Sequence, residues 1–189
     1  MATQEERRTR TRRAILDAAR VRFTRDGWEA TSIAEILDDA GVSRGALYHH
    51  FDSKDDVFAA VFTEVSSDAV ARANAAVGQG QTPLASFIDG CRAWLSIVRR
   101  PDVAQVLLID GPTALGWERC RALEQATSLH VTEAGVRAAT RAGEISPPSL
   151  RAAALLVNAL LAEAALASLA GAAEDRELTA TIESMITGL

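Results

Sequence analysis

The chain has 189 residues, 48% hydrophobic and 24% charged, with a formal net charge of -5. That composition describes a globular chain able to bury a core and excludes a low-complexity or collagen-like one. The charge is uneven, +1 over residues 1–54 and -6 over residues 55–189, so the acidic total does not exclude a nucleic-acid partner for the first part.

The first feature in chain order is Arg7-Arg-Thr-Arg-Thr-Arg-Arg13, five arginines in seven residues. A flexible basic arm is expected over residues 1–8, leading into a helix that buries Ile15, Leu16, Ala19 and Phe23 and stops at Gly27. No apolar stretch of a signal peptide accompanies it, so a cytoplasmic location is expected.

Next comes a pair of short helices. Ser32 with Glu35 forms a capping-box pattern, and Ile33, Ile36, Leu37 and Ala40 recur at helical spacing. Gly41 is placed to end that helix in a left-handed turn, Val42 plugs the turn, and Ser43 can cap a second helix. At roughly 100° per residue, Leu47 and Phe51 share the inner face of that second helix, leaving Gly45 and His49 opposite them. Arg44, Tyr48, His49 and His50 can donate to phosphates or base edges, while Gly45 has no side chain to hold the helix away from a duplex. Helical hairpins inside bundles carry the same features, so the flanking residues decide. Arg12 and Arg13 lie upstream. Downstream, Ser53 and Asp56 repeat the cap pattern, placing Lys54, the single lysine of the chain, in a first helical turn beside free backbone amides that could hold a phosphate.

As an ordered string, the arginine-rich start, Gly27-Trp-Glu-Ala-Thr-Ser32, Ala40-Gly-Val-Ser43, Gly45-Ala-Leu-Tyr-His-His-Phe51 and Ser53-Lys54 resemble the DNA-binding domain of TetR-type transcriptional regulators. The resemblance implies that Ser43, Arg44, Gly45, Ala46, Tyr48, His49 and His50 line a DNA-facing helix. It also implies that Thr31 and Ser32 touch backbone and that Lys54 anchors a phosphate. His49 stands where such domains often carry another aromatic or polar residue, which leaves the operator sequence open.

Every long segment after Ser53 reads as helix. A stripe from Val57 through Phe62 and Val65 to Ala73 continues until Gly78-Gln-Gly80, and further helices are expected at 83–99, 102–109, 116–142, 150–170 and 175–187. The expected architecture is all-α with about nine helices: an arm at 1–8, a helix-turn-helix domain at 9–69 with its motif at 32–51, and a helical domain at 70–189. The segment from Ala152 to Gly171 is apolar nearly all round, but Asn158, Glu163 and the preceding Arg151 make a membrane span costly. Burial on two sides is expected instead, with Leu155, Asn158, Ala162, Ala165 and Leu169 facing a second copy beside Leu178, Ile182 and Met185. The resemblance agrees, since TetR-type proteins pair through their last two long helices. A two-fold dimer would match a palindromic site.

The same resemblance implies a pocket for a small hydrophobic effector, and Phe62, Phe87, Trp94, Leu108, Trp117, Arg121 and His130 are the candidates for it. Each aromatic among them also fits an ordinary core role. The expectation rests chiefly on Trp94 and on Trp117, which lies next to the break at Asp110-Gly-Pro112. Cys91 and Cys120 fit no metal or redox spacing and are expected as buried hydrophobes, with a thiol sensor as the other reading. No catalytic motif, metal site or cofactor is expected: His49 and His50 diverge by about 100°, and the carboxylate pairs are sequence neighbours. Two functional classes follow, a ligand-released repressor and a ligand-independent DNA-binding or protein-interaction module.

Overall fold

The computed structural model describes residues 3–78 and 82–189; Met1, Ala2 and residues 79–81, with the expected break at Gln79-Gly80, lie outside them. Helix α1 (Gln4–Asp26) starts at a reciprocal cap, in which the Thr3 hydroxyl accepts from the Glu6 amide and the Glu6 carboxylate accepts from the Thr3 amide. This corrects the flexible arm: from Thr3 onward the segment is helix, because the cap satisfies free amides and Glu5 and Glu6 complement the helix dipole. The arginine run is therefore carried on a rod.

The inner face of α1 buries Ile15, Leu16, Ala19 and Phe23, and the Phe23 ring meets Phe58 edge-on at 5.1 Å. Helix α2 (Ile33–Ala40) begins at the Ser32–Glu35 capping box and ends at Gly41, whose φ of 63° lies in the left-handed region. Helix α3 (Arg44–Tyr48) is capped by Ser43, whose hydroxyl accepts from the Ala46 amide at 3.2 Å. Arg22 fixes the angle between α1 and α2 by gripping Asp39 with two donors, at 2.6 and 3.1 Å.

Helix α4 (Lys54–Ala75) is the spine of the molecule. Its buried residues Val57, Phe58, Val61, Phe62 and Val65 belong to one apolar cluster that extends from Ile15 and Leu47 to Leu161 and Ile186. The two parts of the chain thus share a core. Helices α5 (Pro83–Val98), α6 (Pro101–Ala104), α7 (Gly111–Ala126), α8 (Ser128–Arg141), α9 (Leu150–Leu169) and α10 (Asp175–Thr187) complete an all-α fold.

Two expected elements change. The helix expected at 102–109 is α6 followed by a π-helical segment (Gln105–Asp110) that runs straight into α7. The helix expected at 116–142 is divided at Thr127 (φ -120°, ψ -93°). Thr127 is held there by α4: its hydroxyl accepts from Ser66 at 2.8 Å and donates to the Leu123 carbonyl at 2.8 Å. A long-range bond of this kind leaves no trace in local periodicity.

Helix α9 is long and apolar enough to cross a membrane, with a mean hydropathy of 1.9, yet it buries Ala153, Ala154, Val157, Asn158, Leu161, Ala164 and Ala165 against the rest of the chain. The residues expected to face a second copy do not all lie on the outer side of α9. Asn158 and Ala165 point inward, Leu155 and Ala162 are partly buried, and the outward residues are Leu156 (64% exposed), Leu166 (37%) and Leu169 (40%). On α10, Ile182 is buried, Leu178 packs partly against the core, and Met185 points outward. A helix apolar on every side gives no periodic signal of which face is inside.

Candidate nucleic-acid interface and internal cavity

Helix α3 presents one face to the core and the other to solvent. Leu47 and Phe51 are buried, whereas Arg44, Gly45, Tyr48 and His49 are exposed, and a Cβ at Gly45 would meet nothing within 4 Å. The Arg44 guanidinium lies 5.8 Å from the Tyr48 ring centre and that of Arg12 lies 5.3 Å from Phe51. Arg8, one helical turn before Arg12, reaches the same corner. Partial burial, reinforced by the nearby charges of Arg8 and Arg12, holds the His50 imidazole below its ordinary pKa. It is therefore largely neutral at pH 7 and able to accept as well as donate. Among the described residues Arg8, Arg12 and Arg44 enter no ion pair, unlike nine other arginines. The result is an uncompensated cationic rim beside a donor-rich helix, the chemistry that phosphates and groove edges require. Arg8, a member of the arginine run but not of the named contact residues, belongs to this set.

Three expected contacts are committed elsewhere. The Lys54 ammonium donates to the carbonyls of Trp28 (2.8 Å) and Thr31 (3.0 Å) and lies 4.3 Å from the Trp28 ring centre. It clamps the loop between α1 and α2 instead of standing free for a phosphate. The Thr31 side chain is buried and donates to the Gly27 carbonyl at 2.7 Å. Arg13 pairs with Asp17 at 2.5 Å and with Glu64 of α4 at 3.5 Å. Ser32 remains exposed at the start of α2, its hydroxyl engaged with Glu35.

A cavity of about 540 Å³ opens in the helical body between α4, α5, α8 and α9, lined by residues including Val70, Ala73, Asn74, Val77, Phe87, Gly90, Cys91, Trp94, Val131, Thr132, Asn158 and Leu161. Of the expected pocket residues, Phe87 and Trp94 line it. Phe62 does not: it is packed against Gly111, where an added Cβ would stand 2.8 Å from the ring. Leu108 packs partly against the core and His130 is exposed. Trp117 is 70% exposed with Arg121 4.6 Å from its ring centre, because Gly116 (φ 71°) kinks α7 and turns the indole outward. Asn158, expected at a subunit contact, is part of the cavity wall. Both thiols are buried and pushed up, Cys91 to about 12 and Cys120 to about 11. At neutral pH they stay protonated, which disfavours the thiol-sensor reading.

Residues 15–61 match the family described as bacterial regulatory proteins, tetR family, and residues 84–189 match the tetracyclin repressor-like C-terminal domain. The A-factor receptor protein of Streptomyces griseus is 34% identical over 102 residues, which are 54% of this chain and 35% of the relative. The HTH-type transcriptional repressor Rv1474c of Mycobacterium tuberculosis is 34% identical over 120 residues, 62% of each. The chain thus spans less than two thirds of the length of these relatives. Among solved structures, a TetR-family transcriptional regulator from Pectobacterium atrosepticum has a TM-score of 0.76 at 26% identity, covering 98% of this chain and 94% of the other. RolR in complex with resorcinol has a TM-score of 0.77 at 16% identity, covering 96% and 90%, a likeness of fold. With its helix-turn-helix head and its helical body both matched, the chain belongs to the TetR family of bacterial regulators.

Proposed function

We propose that this chain is a transcriptional repressor that grips a palindromic operator as a cytoplasmic homodimer and lets go when a small hydrophobic molecule enters the cavity. One observation carries the reading: α4 is a single helix whose first turn clamps the DNA-reading head and whose last turns, at Val70, Ala73 and Asn74, form a cavity wall. An occupant that presses on that wall acts on a lever already attached to the head. The outward leucines of α9 with Met185 of α10 supply the surface for a second copy. The repressor and receptor names of the two relatives, and the resorcinol in the RolR structure, support the same reading by likeness.

Selection from random-sequence duplexes tests it. The expected yield is an inverted repeat whose affinity falls steeply with added salt. Tyr48→Ala, at an exposed position, is expected to weaken binding about tenfold or more with Tm unchanged, since a lost groove contact costs roughly 1–3 kcal/mol. Enrichment of no repeat, or full affinity in that variant, would overturn the assignment.

A further inference from the structure

We infer that the cavity takes an uncharged, flat, largely apolar molecule bearing a hydrogen-bonding oxygen, and that this oxygen docks on the Asn158 amide. The inference rests on reading the cavity as the effector site and adds the chemistry of the effector.

Charge is excluded by the walls. None of the described residues lining the cavity is Asp, Glu, Lys, Arg or His. An ion entering would lose its hydration and find no counter-charge. Size and shape follow from the same walls. A cavity of about 540 Å³ falls among those that take a drug-sized molecule. The rings of Phe87 and Trp94 line it, and Gly135 of α8 lets the Phe87 ring lie directly against the helix backbone. Aromatic faces of this kind favour a planar partner.

The polar anchor is identified by elimination. Thr132 already donates to the Ser128 carbonyl at 3.1 Å, Asn74 is exposed, and Ser86 and Ser128 are only half-buried, which leaves their hydroxyls less in need of a partner. Asn158 is 8% exposed on α9, and its side-chain amide makes no hydrogen bond with any described residue. It is one of the residues that line the cavity. The Trp94 indole N–H, on α5, is without a partner among the described residues but is sealed from solvent, so the ring lines the cavity without offering this donor to it. Buried polar groups are normally paired, and each one left open costs free energy that a ligand can restore. The Asn158 amide can both donate and accept, so a hydroxyl, which does either, or a carbonyl oxygen complements it.

Calorimetry on the whole protein with 2-naphthol, naphthalene and 2-naphthoate, three flat probes of roughly equal size, tests this. The expected order is 2-naphthol about tenfold tighter than naphthalene, the value of one net hydrogen bond, with 2-naphthoate bound more weakly than both. Asn158→Leu, close in volume, is expected to erase the preference for 2-naphthol while still binding naphthalene. Gly90→Leu fills the space directly: a Cβ there has Val77 at 3.7 Å as its nearest neighbour, so the variant is expected to fold with its Tm kept and to bind neither neutral probe. Tight 2-naphthoate binding, a naphthol preference that survives Asn158→Leu, or silence from all three probes overturns the inference. Release of operator DNA is read separately by fluorescence anisotropy. Binding without release leaves the cavity chemistry standing and removes the repressor reading alone.

Discussion

Lys54 places its ammonium on two backbone carbonyls and a tryptophan face, a set of partners that satisfies most of its donors inside the protein. The contribution of this residue is therefore to hold the α1–α2 loop, and its effect on DNA passes through the shape of the head. Arg8 is its opposite: exposed, in no ion pair among the described residues, and near enough to His50 to lower its pKa. Lys54→Ala is expected to lower stability by about 1–3 kcal/mol, since two acceptors lose a charged donor, and to leave the slope of log affinity against log salt unchanged. Arg8→Ala is expected to leave Tm alone and reduce that slope by about one. Thermal melts and a salt titration of operator binding, run on both variants, check the pair; a reduced slope in Lys54→Ala would return that lysine to the phosphates. The sequence placed Lys54 correctly in a first helical turn but could not show which way a flexible four-carbon stem turns. Whether Thr31 faces in or out was hidden for a similar reason: its hydrogen bond goes to the Gly27 carbonyl, and only the folded loop brings that within reach.

At the scale of elements, helix starts were legible because caps are local. Ser32 with Glu35, Ser43 and Ser53 all cap as their spacing foretells. Thr3 with Glu6 carries the same pattern, and reading it would have turned the arm into helix and placed Arg8 and Arg12 on one face. The π-helical segment had no such mark. Its last residue, Asp110, accepts from the Trp28 backbone amide at 2.7 Å and from the Gln105 side chain at 3.0 Å, with Gly27 packed close beside both. This carboxylate joins the helical body to the loop that Lys54 holds from the other side. Asp110→Ala removes the acceptor of a charge-assisted bond, so hydrogen exchange at the Trp28 amide is expected to quicken about tenfold or more. Unchanged protection there would show that the loop does not depend on the contact. The division at Thr127 and the end of the 105–110 segment are both tied to distant partners, on α4 and on the α1–α2 loop, which is why periodicity alone missed them.

For the whole molecule, the all-α plan and the shared spine were legible from apolar stripes, whereas the position of the cavity was not. The break at Asp110-Gly-Pro112 looked open, yet Gly111 there admits the Phe62 ring and closes the gap. The opening lies instead where Gly90, Ala73, Ala134 and Ala138 leave small side chains on facing helices. Small residues read as close packing or as empty space depending on how far apart their helices stand, and that distance is a property of the assembled fold. The outward face of α9 and α10 bears on the proposed dimer. Leu156→Arg, at a side chain 64% exposed, is expected to keep the Tm of the folded chain while converting the sedimenting species from dimer to monomer. A clear loss of operator affinity should accompany it, since two linked heads bind far better than one. A dimer that persists would move the subunit contact to another surface.

The continuity of α4 also fixes how two occupants of one protein must treat each other. If a molecule in the cavity reduces operator affinity by some factor, the operator reduces the affinity of that molecule by the same factor, because both work against one equilibrium. DNA is then an antagonist of the effector as much as the reverse. The dose that half-fills the cavity should rise when operator is in excess and fall when it is scarce, so the sensitivity of the switch is set partly by how many binding sites the genome offers.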